Sequence, residues 1–117
     1  MNDMITIKDV ATGMIANNLD PFEPTHPGEL ICDELEARGV TQVQLAENIG
    51  VAPSLLNEVI KGKRAVNTEL ALLIEASMDI PAEMLLGLQN DYNMQMTKAN
   101  PSFMSRLASI KKIAAAL

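Results

Sequence analysis

The chain has 117 residues, 48% of them apolar and 21% charged, with nine basic against fifteen acidic side chains and a net charge of −6. That length closes one core and leaves little room for a separate catalytic domain with its own cleft. Two Phe, one Tyr and no Trp provide no set of stacking platforms for single-stranded nucleic acid, and the acidic average taken alone argues against a phosphate-binding face. The longest apolar runs, Leu70 to Ile74 and Ile113 to Leu117, fall far short of the roughly 18 to 20 residues that cross a bilayer. No basic region leads into an apolar stretch at the N-terminus, and the lone Cys32 has no internal disulfide partner. A cytoplasmic protein with no membrane partner is expected.

Residues 1–20 are weakly patterned: Ile5, Ile7 and Val10 fit a short strand or an irregular arm, and Asn17, Asn18 and Asp20 a turn. Pro21, Pro24 and Pro27 then force an extended connector, since each proline restricts itself and the residue before it. An N-terminal arm over residues 1–21 is therefore set apart from the rest of the chain.

From Pro27 onward the pattern is helix after helix. Pro27 in the first turn and Glu29 near the positive end open a first helix whose inner residues are Leu30, Ile31 and Leu35, and Gly39 ends it. Thr41 followed by Gln44 is a capping-box pattern that opens a second, with Leu45, Ala46 and Ile49 inward and Gly50 as its stop. Pro53 starts a third, with Leu56, Val59 and Ile60 as the periodic apolar residues and Gly62 as its close. Asn67 or Thr68 caps a fourth, carrying Leu70, Leu73, Ile74 and Met78. Pro81 opens a fifth, with Met84, Leu85, Leu88 and Tyr92 inward. Asn100 and Pro101 start a sixth, with Phe103, Leu107, Ile110, Ala114 and Leu117 along one stripe. The fold class is all-α. Methionines 78, 84, 94, 96 and 104 read as gap-fillers of a core or as an adaptable partner surface near the sixth helix.

The informative stretch runs from Gln42 to Lys61. Two short helices meet at Gly50, with the small Ala46 four positions earlier. A helix-turn-helix requires this: a larger side chain at Ala46 pushes the helices apart, and the turn needs a residue that takes positive φ without strain. Setting aside the inward positions leaves Ala52, Pro53, Ser54, Leu55, Asn57, Glu58 and Lys61 on the outer face of the third helix. Asn57 has the donor–acceptor pair that matches the major-groove edge of adenine, Ser54 can donate or accept, and Leu55 suits a thymine methyl. Glu58 can accept from the cytosine amino group but repels phosphates. Gln42 is placed for a phosphate at the start of the second helix, and Lys61, Lys63 and Arg64 for phosphates beyond the third. Each also reads as a solvated surface residue, and a basic helix C-terminus is expected from the helix dipole alone.

These residues resemble a known family. His26-Pro27-Gly28-Glu29-Leu30, Gln42 with Leu45-Ala46-Glu47 and Ile49-Gly50-Val51, Leu56-Asn57-Glu58-Val59 and Gly62-Lys63-Arg64 are similar to the HigA antitoxins, a branch of the Xre-type, lambda-repressor-like helix-turn-helix proteins. So are Glu69-Leu70-Ala71-Leu72 and the segment Leu88-Gln89-Asn90 with Tyr92-Asn93. The likeness covers about residues 22–96, and Arg106-Leu107 with Ser109 to Leu117 resembles a C-terminal helix of one subset. It departs from the family at Pro53 and Leu55, where many members carry arginine, and near Met84 and Leu85, where many carry an aromatic pair.

The resemblance implies a lambda-repressor-like bundle of about five helices (residues 22–96), with the arm before it and a C-terminal amphipathic helix (97–117) after it. It further implies a cytoplasmic homodimer that binds double-stranded operator DNA in its own promoter and neutralises a small basic mRNA-cleaving toxin. A stand-alone regulator without a toxin, or a protein-binding module that has lost DNA binding, are the other functions the residues allow.

Catalysis finds little support. His26 precedes a proline at a helix start and Cys32 sits beside the buried stripe, which suits a helix-start residue and a small core thiol better than a nucleophile pair. No ligand cluster has zinc spacing, no glycine-rich phosphate loop occurs, and neither enzyme activity nor a cofactor is expected. The net charge also divides unevenly. Residues 38–64 carry four basic and two acidic side chains and residues 97–117 four basic and none acidic, whereas residues 65–96 carry five acidic and none basic. The helix-turn-helix segment is thus locally basic inside an acidic chain, and the acidic blocks suit attraction of a basic toxin.

Overall fold

The computed structural model describes residues 24–117. The expected arm, with Ile5, Ile7 and Val10 and the turn at Asn17 to Asp20, lies outside them. Six helices make up the described chain: α1 (Pro27–Arg38), α2 (Gln42–Ile49), α3 (Pro53–Ile60), α4 (Thr68–Met78), α5 (Ala82–Lys98) and α6 (Pro101–Ala115). Among the described residues there is no strand.

Local chemistry sets the ends of these helices. Thr41 Oγ1 accepts from the Gln44 backbone N–H at 3.1 Å while Gln44 Oε1 accepts from the Thr41 N–H at 2.9 Å, a complete capping box for α2. Asn67 and Asn100 accept from the amides of Leu70 and Phe103 and cap α4 and α6 in the same way. Gly39, Gly50 and Gly62 all have positive φ. At Gly50 the αL turn lets the Val51 N–H reach back to the Ala46 carbonyl at 3.0 Å, closing α2 and redirecting the chain into α3. α4 ends on Asp79, which takes φ 59° without being glycine.

The core gathers one or two turns from each of the first five helices: Ile31 and Leu35 from α1, Leu45 and Ala46 from α2, Leu56 and Val59 from α3, Leu70, Ala71, Ile74 and Met78 from α4, and Ala82 and Leu85 from α5. α4 packs on α5 and on α2, and α1 packs on α3 and α5. Ala46 is fully buried, which lets α2 and α3 approach.

Two expectations need correction. Met84 does not face inward: it is half exposed, while Leu85 is fully buried and the polar Gln89, one turn later, takes a core position. A run of apolar residues from Met84 to Leu86 does not by itself set the rotational phase of a helix, and Gln89 is buried because a backbone donor awaits it. α5 also runs through residue 96 to Lys98, so the break before α6 falls at Ala99 and Asn100. α6 has the expected stripe but buries none of its residues, and α5 is the helix it packs against.

Candidate nucleic-acid interface

α3 buries Leu56 and Val59, which turns Ser54, Asn57, Glu58 and Lys61 outward as a continuous stripe at helical spacing. Ser54, Glu58 and Lys61 are exposed and Asn57 is half-buried. Leu55 departs from the expectation of an outward apolar residue. It is half-buried against the core, in a depression it shares with Val51, Arg64 and Leu70. That packing buries part of its apolar surface and leaves the rest open along the depression.

The structure joins two residues that the sequence presents separately. Asn57 Nδ2 donates to Gln42 Oε1 at 3.0 Å, tying the first residue of α2 to the middle of α3 across the turn. Gln42 thereby fixes the amide plane of Asn57, leaving the Asn57 carbonyl oxygen and its second N–H for an external partner. Glu58 and Arg64 are also brought together, with Arg64 Nε donating to Glu58 Oε1 at 2.8 Å. Both side chains are about half exposed, so the pair adds little to stability, but it partly neutralises Glu58 on the outward face. Lys61 and Lys63 stand exposed beside it. Behind them the Lys63 N–H reaches the Glu58 carbonyl at 2.8 Å and the Gly62 N–H the Val59 carbonyl at 3.0 Å. These two bonds hold the basic loop in one geometry.

A buried polar network, not foreseen as part of the site, anchors this loop to the body. His26 caps α1 with its Nδ1, which accepts from the Gly28 N–H at 2.9 Å. Its ring meets Tyr92 of α5 edge-on at 4.8 Å between centroids and lies close to Gly62. Gln89 Oε1 accepts from the Val66 N–H at 2.9 Å, and its Nε2 donates to Asn93 Oδ1 at 2.9 Å. Gly28 is required here because α1 starts against the end of α3: a Cβ would collide with the Val59 carbonyl oxygen. The signal for this network was the segment His26-Pro27-Gly28, whose three residues are all buried. Cys32 is half-buried on α1, and His26 is occupied as a cap.

Burial holds the His26 imidazole below its ordinary value of 6.5, against the opposing pulls of the Glu29 carboxylate and a backbone hydrogen bond with Arg64. Only the imidazole with Nδ1 unprotonated can accept from Gly28. Between the folded and unfolded values the unfolded chain binds more protons, so folding stability falls as pH drops from about 6.5 through the lowered value. The urea midpoint of the wild type is expected to decline across that range, and His26→Gln to decline less. Parallel slopes for the two chains would remove His26 from this role.

The helix-turn-helix family model matches residues 33–85. Virulence-associated protein I of Dichelobacter nodosus is 30% identical over 74 residues, which cover 62% of this chain and 68% of that protein. The chain belongs to the helix-turn-helix family, and its bundle is of the lambda-repressor-like kind. Among solved structures, a Pseudomonas aeruginosa protein in complex with its operator DNA matches with a TM-score of 0.63 and 26% identity, covering 66% of this chain and 86% of that one. An addiction module antidote protein of a HigA family from Coxiella burnetii matches with a TM-score of 0.58 and 25% identity, covering 81% of this chain and 96% of that one. Among the described residues no helix is long and apolar enough to cross a membrane, and no group of three or more His, Cys, Asp or Glu side chains is arranged to hold a metal ion.

Proposed function

We propose that the chain is a DNA-binding transcriptional regulator of the antitoxin type, acting in the cytoplasm without enzyme activity of its own. The observation that carries the reading is the outward stripe of α3, oriented by the Gln42–Asn57 bond and followed by a basic loop. α3 enters the major groove, Asn57 and Ser54 meet base edges, and Gln42, Lys61, Lys63 and Arg64 meet phosphates. A homodimer places two such helices about 34 Å apart on an inverted repeat. The match to a protein crystallised with operator DNA supports the DNA-binding part. The likeness to an addiction module antidote protein of a HigA family supports the antitoxin part, for which we propose a small basic toxin as the second partner and the chain's own promoter as the target. The 1–21 arm and the C-terminal helix flank this DNA-binding unit.

A fluorescence titration against the DNA upstream of its own gene tests this. Three cations per copy predict that log affinity falls with log salt at a slope of about −5 for a dimer, and Lys61→Ala is expected to make that slope shallower by about 2 while weakening all sequences alike. Equal affinity for upstream and scrambled DNA would rule out operator recognition. The Glu58–Arg64 pair on the outward face favours a second reading, a protein-binding module without DNA affinity. Absence of salt-sensitive DNA binding together with a tight protein complex would establish that one. A small basic protein recovered with the chain from native lysate separates an antitoxin from a stand-alone regulator.

A further inference from the structure

α6 carries an apolar seam that the described residues leave open. Phe103, Leu107, Ile110, Ala114 and Leu117 succeed one another at alternating steps of four and three, the spacing that keeps a seam facing a partner. Exposure rises from 37% at Phe103 to 52% at Ile110, and Ile113 beside the seam is 64% exposed. Arg106 flanks the seam on one side and Lys111 on the other, each within one helical turn of two seam residues. Lys112 adds a third cation, and α6 has no acid. Such a face suits a partner that is both apolar and acidic.

Residues 1–21, which lie outside the described residues, have that chemistry. Ile5, Ile7, Val10, Met14, Ile15 and Leu19 supply apolar side chains, Asp3, Asp9 and Asp20 outnumber Lys8, and Glu23 follows them. The point from which this arm departs is fixed. The His26 ring meets Tyr92 of α5 at 4.8 Å, so the chain enters α1 against α5, the helix on which α6 packs. From Tyr92 to the end of α5 at Lys98 is about 9 Å, and the 15 residues of α6 add about 22 Å. With the short turn between them, the far end of the seam lies within about 45 Å of Tyr92. The stretch from Met4 to Thr25 spans up to about 70 Å when extended, so the whole seam is within reach.

We propose that residues 1–21 dock on α6 of the same chain, laying apolar side chains along the Phe103–Leu117 seam with their carboxylates toward Arg106 and Lys111. Charge selects this occupant. A second α6 brings the same three cations and a basic protein brings more, so both are repelled where the arm is attracted. An anionic lipid surface has the right sign of charge but must be met by diffusion. The tether holds the arm at a local concentration on the order of millimolar. The docking holds whether or not the chain binds DNA, and its test uses none.

Amide hydrogen exchange of the full chain reads the arm directly. Residues 1–21 are expected to exchange at least about tenfold more slowly than an unstructured chain, at a rate that dilution leaves unchanged. Ile110→Glu places a carboxylate in the seam and is expected to return them to the unstructured rate. Far-UV helicity should persist, because Ile110 covers none of the described core. Arg106→Glu combined with Lys111→Glu should also free the arm. Adding Asp3→Lys and Asp9→Lys to that variant should slow exchange again, a rescue that general loss of helix stability would not give. An arm at the unstructured rate in the wild type, slow exchange indifferent to Ile110→Glu, or failure of the rescue would each overturn the proposal. Slow exchange lost on dilution would overturn it in favour of a second copy. Phosphatidylglycerol vesicles binding the wild type as tightly as a chain lacking residues 1–21 would overturn it in favour of a lipid surface.

Discussion

Gly28→Ala is expected to cost about 3 kcal/mol of folding stability, although it adds a single methyl group to a helix. In an ordinary helix interior the same change stabilises, because alanine restricts the unfolded chain and glycine does not. The difference lies in what the methyl meets. At Gly28 the first turn of α1 rests on the last turn of α3, and the Cβ would fall on the Val59 carbonyl oxygen and reach 3.0 Å from Ile60 Cα. Those atoms are backbone in a packed helix and have no rotamer to yield. Relief requires α1 to lift from α3, which strains the His26 cap and the contact with Gly62 together. Gly87 in α5 is the internal control, since a Cβ there meets open space. Gly87→Ala is expected to raise stability by up to about 1 kcal/mol. Urea unfolding of both variants checks the pair, and a loss at Gly28 no larger than the change at Gly87 would contradict the close approach. Because α3 is the outward-facing helix, the surviving fold of Gly28→Ala should also bind upstream DNA more weakly.

The second large effect concerns recognition. Asn57→Ala is expected to reduce discrimination between upstream DNA and its base-substituted variants by about 1–3 kcal/mol, the worth of one good bidentate base contact. Gln42→Ala should reproduce part of that loss even with the asparagine intact, because it releases the Asn57 amide from its fixed plane. The double variant should then fall short of the sum of the single losses, by a coupling of at least about 0.5 kcal/mol for side chains in direct contact. Strict additivity in a titration series across the four chains would show that Gln42 and Asn57 act independently. An Asn57→Ala loss equal for every sequence would instead make Asn57 a backbone contact.

Much of this molecule is legible in its sequence, wherever the cause of a feature lies within about one helical turn of it. The capping box of Thr41 and Gln44, the caps at Asn67 and Asn100, the proline at the start of α1 and the αL glycines at 39 and 50 are all local, and all six helices begin where such signals place them. The burial of Ala46 beside the turn at Gly50 was readable for the same reason. The same logic explains why α5 misled. Its apolar residues run together, so periodicity does not tell Met84 from Leu85, and the residue that sets the phase is a glutamine.

The set of helices, their ends, the helix-turn-helix spacing and the amphipathic seam of α6 are therefore written in local sequence. The build of the candidate site emerges only when the helices pack. Gln42 meets Asn57, Arg64 meets Glu58, His26 meets Tyr92, and Gln89 takes the Val66 amide, each across two segments that come together only in the packed chain. It also set Leu55 partly against the core and left α6 uncovered among the described residues. The difference is one of range. Capping and turn chemistry act through neighbouring backbone atoms, whereas a side-chain pair or a buried amide exists only once the core has set the distance between its two halves.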